Sequence, residues 1–68
     1  MAEQFRAALE RRKAVQQRIG VSRSTLYSWI AKGEFPAPVK IGARAVAWDA
    51  AAVDDWIARR IRAGKAAA

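Results

Sequence analysis

The spacing of apolar residues changes period along the chain. Val15 and Ile19 lie four apart with Ala14 alongside, which predicts a helix over residues 12–19. Gly20 follows as a helix-ending turn, since glycine enters left-handed backbone without a steric penalty. Ser22 is placed to cap a second helix over residues 22–32, with Val21 packing back on its first turn. Leu26 and Ile30, again four apart and joined by Trp29, give that helix one apolar stripe. Gly33 stops it. The period then shortens to two. Val39 and Ile41 alternate with Lys40, Val46 and Trp48 alternate with Ala47, and Gly42-Ala43-Arg44 lies between them, which predicts a β-hairpin over residues 39–48. The helical period returns in Val53, Trp56, Ile57 and Ile61, a last helix over residues 49–62 with Asp49 at its N-cap.

The ends and the link read less simply. Phe5, Ala8 and Leu9 have helical spacing, yet a short strand around residues 8–11, added to the hairpin, fits as well. Glu34-Phe35-Pro36-Ala37-Pro38 forbids helix and forces an extended path, with Phe35 as the plug that fixes it to the core. Gly64 is expected to end the ordered part. Residues 1–8 then form an extension, 9–63 the folded domain and 64–68 a disordered tail.

Sixty-eight residues make one small domain, which buries roughly 60% of its unfolded surface. With no cysteine, no disulfide can staple it. The core must come from Trp29, Trp48, Trp56, Phe5, Phe35, Tyr27 and a few Val, Leu and Ile. An isolated hairpin is marginal in water, so this one must pack on the helices.

Charge changes the picture most. Thirteen Lys and Arg stand against six Asp and Glu, for a net +7. A folded domain this basic attracts polyanions, and phosphate backbones are the commonest. Arg11, Arg12 and Lys13 cluster at the start of the first helix, where positive charge opposes the helix dipole. The cluster reads either as a solvated face or as a phosphate-facing one. At the far end Asp54 and Asp55 precede Arg59, Arg60 and Arg62, a placement that the dipole alone explains.

The polar face of helix 22–32 carries Arg23, Ser24, Tyr27 and Ser28, all able to hydrogen-bond. Alone it suits a solvated surface or the DNA major groove. Only a short turn separates it from the helix before, as in helix-turn-helix pairs. Arg44 at a hairpin tip beside such a helix can reach phosphates or a narrow minor groove. Lys32, Lys40, Arg12 and Lys13 complete the candidate contacts. A basic membrane-surface or protein-interaction module is the alternative, but no helix pairs a wide exposed apolar face with a basic one.

Catalysis has little to work with. Histidine and cysteine are absent, and with them the commonest base, nucleophile and metal ligands; no metal or cofactor is expected. Adjacent Asp54 and Asp55 point about 100° apart on a helix and form no paired site. No apolar run approaches the ~18 residues that span a bilayer, and the charged N-terminus lacks a signal peptide's apolar segment. The expected location is the cytoplasm.

Residues Gly20 to Trp48, with G-V-S-R-S-T-L-Y and F-P-x-P-V-K-I-G, followed by V-x-x-W from Val53, resemble the AlpA family of prophage regulators. These are small winged-helix DNA-binding proteins, related to phage excisionases and more distantly to MerR-type domains. The resemblance runs from about Leu9 to Ile61. It implies an α+β, mainly helical fold: a winged helix-turn-helix with three helices and a two-stranded β-hairpin wing. It implies that Arg23, Ser24, Thr25, Tyr27 and Ser28 face double-stranded DNA and that Arg44 lies on the wing. The pattern alone leaves Thr25 undecided between that face and the core side. The family includes transcription regulators and recombination directionality factors, so neighbouring copies and an integrase are candidate partners. The segment after Trp48 departs from the family's Ser/Glu-rich cap, and Asp49 stands in for it.

Overall fold

The computed structural model describes residues 8–67. Strand β1 spans Leu9–Glu10, helix α1 Arg12–Ile19 and helix α2 Arg23–Ala31. Strands β2 (Val39–Gly42) and β3 (Ala45–Asp49) follow, then helix α3 (Ala50–Ala67). This is a mainly helical α+β fold, compatible with a winged helix-turn-helix.

The sheet is antiparallel with order β1-β3-β2. Leu9 pairs with Asp49 and Glu10 with Trp48, so the strand reading of residues 8–11 is the one that forms and the sheet has three strands. Phe5 and the helical reading of the first residues lie outside the described residues. On the other side Val39 pairs with Ala47, Lys40 with Val46 and Gly42 with Ala45, with a register shift between Lys40 and Gly42. Ile41 is therefore the bulged residue, and the Ala43-Arg44 turn is made without positive φ.

Both interhelical stops work as the glycines predict. Gly20 has φ 67° and its N–H donates to the Gln16 carbonyl at 2.7 Å. Gly33 has φ 74°. Its N–H donates to Ile30, and that of Glu34 donates to Trp29 at 2.8 Å, the paired bonds of a Schellman ending. Ser22 caps α2, its hydroxyl accepting from the Thr25 N–H at 3.2 Å. Asp49 caps α3, accepting from the Ala51 N–H at 3.0 Å.

The core lies where α1, α2 and α3 meet β3. Val15, Leu26, Trp48 and Val53 are fully buried and Phe35 nearly so, with Trp29, Ile30, Trp56 and Ile57 packed around them. Ala47 is buried beside Trp48, so β3 is covered on both faces. The edge strand β2 is exposed throughout, Val39 and Ile41 included. Two tryptophans pin the link between α2 and the wing. Trp56 Nε1 donates to the Glu34 carbonyl at 2.7 Å and Trp48 Nε1 to the Pro36 carbonyl at 2.9 Å. Arg18 of α1 bridges Glu10 of β1 and Asp54 of α3, tying the short strand to the last helix. The bonds to these carboxylates, that to Asp54 foremost, raise the Arg18 pKa.

Two expectations need correction. Gly64 does not end α3, which runs on to Ala67. A helical glycine costs about 1 kcal/mol relative to alanine, and the surrounding Ala, Arg and Lys are strong helix formers. Ile61 does not join the buried stripe: it is exposed, while its neighbour Arg60 takes the place over Trp29 and Trp56.

Candidate nucleic-acid interface

Helix α2 is held by one face and open on the other. Leu26 is buried and Trp29 and Ile30 are half-buried. Arg23, Ser24, Tyr27 and Ser28 are exposed, as is Lys32 at the helix C-cap. Thr25 is half-buried, and its hydroxyl oxygen accepts from that of Ser22 at 3.1 Å. That geometry assigns Thr25 to the helix cap.

The exposed face is ordered from beneath. The Tyr27 ring meets buried Trp48 edge-on, with centroids 6.4 Å apart. The Arg23 guanidinium sits 5.7 Å from the centre of the Tyr27 ring. A path of contacts therefore runs from the core through Tyr27 to Arg23, and such a cation–ring contact contributes about 0.5–1 kcal/mol at an exposed site.

Beside this face lies a cleft of about 320 Å³ lined by Arg11, Arg12, Lys13, Tyr27, Arg44 and Val46. It gathers the start of α1, the middle of α2 and the hairpin tip. Of the sequence-predicted residues it unites Arg12, Lys13, Tyr27 and Arg44. Lys32 and Lys40 are exposed outside it. Arg11 lines it too, although the sequence marks Arg11 only as one of a basic run. Arg12 donates to Gln16 Oε1 at 2.6 Å. Among the described residues, none of the four cations pairs with a carboxylate. Like charges are thus concentrated here without compensation from the described residues.

A larger groove, about 540 Å³, lies between the link and α3, lined in part by Phe35, Pro36, Trp56, Arg59 and Arg60. Its charges are engaged. Arg59 pairs with Asp55 at 2.8 Å, and Arg60 stacks over Trp56 at 4.9 Å and Trp29 at 5.6 Å. Its lining also carries Glu34, so it mixes both signs of charge where the smaller cleft is basic throughout. Among the described residues no cluster of acidic, Cys or His side chains could hold a metal ion, and no helix is long and apolar enough to cross a membrane.

A basic cleft beside a capped, outward-facing helix and an arginine-tipped hairpin is the arrangement of a winged helix-turn-helix fold. Residues 9–61 match the family model of the prophage CP4-57 regulatory protein (AlpA), and the chain belongs to that family. It is 50% identical over 46 residues to "Uncharacterized protein ORF88" of Enterobacteria phage P4, covering 68% of this chain and 52% of that protein. It is 31% identical over 55 residues to the "DNA-binding transcriptional activator AlpA" of Escherichia coli (strain K12), covering 72% of this chain and 79% of that one. The match thus spans about half the length of the phage P4 protein.

Proposed function

We propose that the chain binds double-stranded DNA sequence-specifically as a transcription regulator or recombination directionality factor of a prophage or integrative element. Helix α2 enters the major groove, and the hairpin formed by β2 and β3 contacts the flanking backbone or minor groove. The observation that carries this reading is the junction of two surfaces: the exposed Arg23, Ser24 and Ser28 face adjoins, through Tyr27, a cleft of four cations that pair with no carboxylate among the described residues. An α-helix with its side chains is about 10–12 Å across, which a major groove about 12 Å wide admits, and the nine residues of α2 make it roughly 14 Å long. The Escherichia coli relative's name as a DNA-binding transcriptional activator supports it.

One such helix reads only a few base pairs, so selectivity on a genome calls for neighbouring copies on repeated sites. Selection from random duplexes, followed by footprinting of the element's attachment region and promoters, tests the reading. Several adjacent protected sites with DNA bending support the excision role, in which an integrase is the partner. A single promoter site without bending supports the regulator. Binding that is equal on every duplex defeats sequence-specific recognition.

A further inference from the structure

We infer that the cleft between α1 and the hairpin tip seats a single DNA backbone phosphate, gripped from both sides by Arg11 and Lys13 of the α1 start and by Arg44 of the hairpin. This rests on the DNA-binding reading and deepens it. Elements far apart in sequence converge on one cavity of about 320 Å³, with Tyr27 and Val46 between them. Four cations share that space without a carboxylate among the described residues, and α1 has no acidic residue in its first turn to offset them. Mutual repulsion and an opposed helix dipole both raise the energy of the empty cleft. One phosphodiester relieves both, and its two non-bridging oxygens accept from guanidinium groups on either side.

Tyr27 makes the seat specific in position. Its ring is fixed against Trp48 and carries Arg23 on its face. A phosphate held at Tyr27 therefore sets the depth and register at which α2 presents Arg23. The seat positions the reading helix, and α1 and the hairpin act on the same phosphate.

The test compares Arg11→Gln, Arg44→Gln and the double variant with the unaltered chain, on the duplex recovered by selection. Both side chains are exposed, so the fold should be kept, and circular dichroism checks this. Duplexes carrying one neutral methylphosphonate are scanned position by position. The expected result is one phosphate at which neutralisation weakens the unaltered chain and removes the penalty of both single substitutions. The double variant should lower the slope of log affinity against log salt by no more than about 0.9, one phosphate's share, and adding Lys13→Gln should bring the loss to about that value. If the two penalties vanish at different phosphates, or the double variant lowers the slope by about 1.8, the shared seat is overturned while DNA binding stands. If no duplex binds at all, the seat and the DNA reading fall together.

Discussion

Trp48 donates its indole N–H to the Pro36 carbonyl at 2.9 Å, which latches the central strand of the sheet to the link leaving α2. Trp48 is fully buried, so its ring fills the core while its one polar atom fixes the backbone beside the wing. Trp48→Phe keeps most of the apolar contact and leaves that carbonyl without its donor. The pair is part-buried, so the orphaned acceptor costs about 1 kcal/mol, and the ring atoms lost from the core add to it, for a total of at least about 1 kcal/mol. In a domain of this size that lowers the melting temperature by about 4–8 °C. An unchanged melting curve would show that neither the bond nor the lost ring atoms contribute net stability.

Core and reading face should separate cleanly under mutation. Leu26 is fully buried on α2, whereas Ser24, two residues earlier, is exposed. Leu26→Ala is expected to cost about 2–5 kcal/mol, a large share of what so small a domain can hold. Far-UV circular dichroism at 25 °C should show partial or complete loss of helix. Ser24→Ala should leave stability within about 0.5 kcal/mol and alter only DNA affinity. Comparable losses of stability from both would contradict the outward orientation of Ser24.

The cap of α2 makes a further test. Ser22 accepts from the Thr25 N–H and donates to the Thr25 hydroxyl, so two side chains close the helix start. Ser22→Ala should cost about 1 kcal/mol in urea unfolding. Ser22→Asp restores a capping acceptor and suits the helix dipole. It also brings negative charge to the proposed DNA face. Its expected signature is stability near that of the unaltered chain together with weaker DNA binding. Tighter binding would argue against DNA at this end of α2.

How legible the molecule is in its sequence follows from the range of each interaction. Gly20, Ser22, Gly33 and Asp49 act on backbone within a few residues, and all four do what their chemistry predicts. The α2 stripe of Leu26, Trp29 and Ile30 is equally local. Strand β1 is two residues long and shows no alternation of its own; it exists because Leu9 and Glu10 meet Asp49 and Trp48 from far along the chain. The end of α3 misleads because a glycine's intrinsic cost is small beside a long run of helix formers. Val39 and Ile41 keep a strand's alternation, yet an edge position leaves both exposed. The cleft is the least legible feature. Arg11 and Arg44 become neighbours only through the fold, and their sequence positions give no hint of a common cavity.

Arg23 and Arg44 should fail in different ways, which tests the division between reading and anchoring. Arg23 lies on the exposed face of α2, braced by Tyr27. An arginine that reads a base edge discriminates against the wrong base by about 1–3 kcal/mol. Arg23→Ala should therefore lose affinity mainly on the selected duplex, with little change on unrelated sequence. Arg44 lies in the hairpin turn and lines the cleft with the α1 cations. A phosphate contact carries no sequence information. Arg44→Ala should then weaken binding to all duplexes by a similar factor and flatten the salt dependence only in part, since Arg11 and Lys13 still face the phosphate. Fluorescence anisotropy across a salt series, on selected and scrambled duplexes, measures both. If Arg23→Ala weakened all sequences equally while Arg44→Ala removed discrimination, the hairpin would be the reading element and the roles assigned to α2 and the wing would be exchanged.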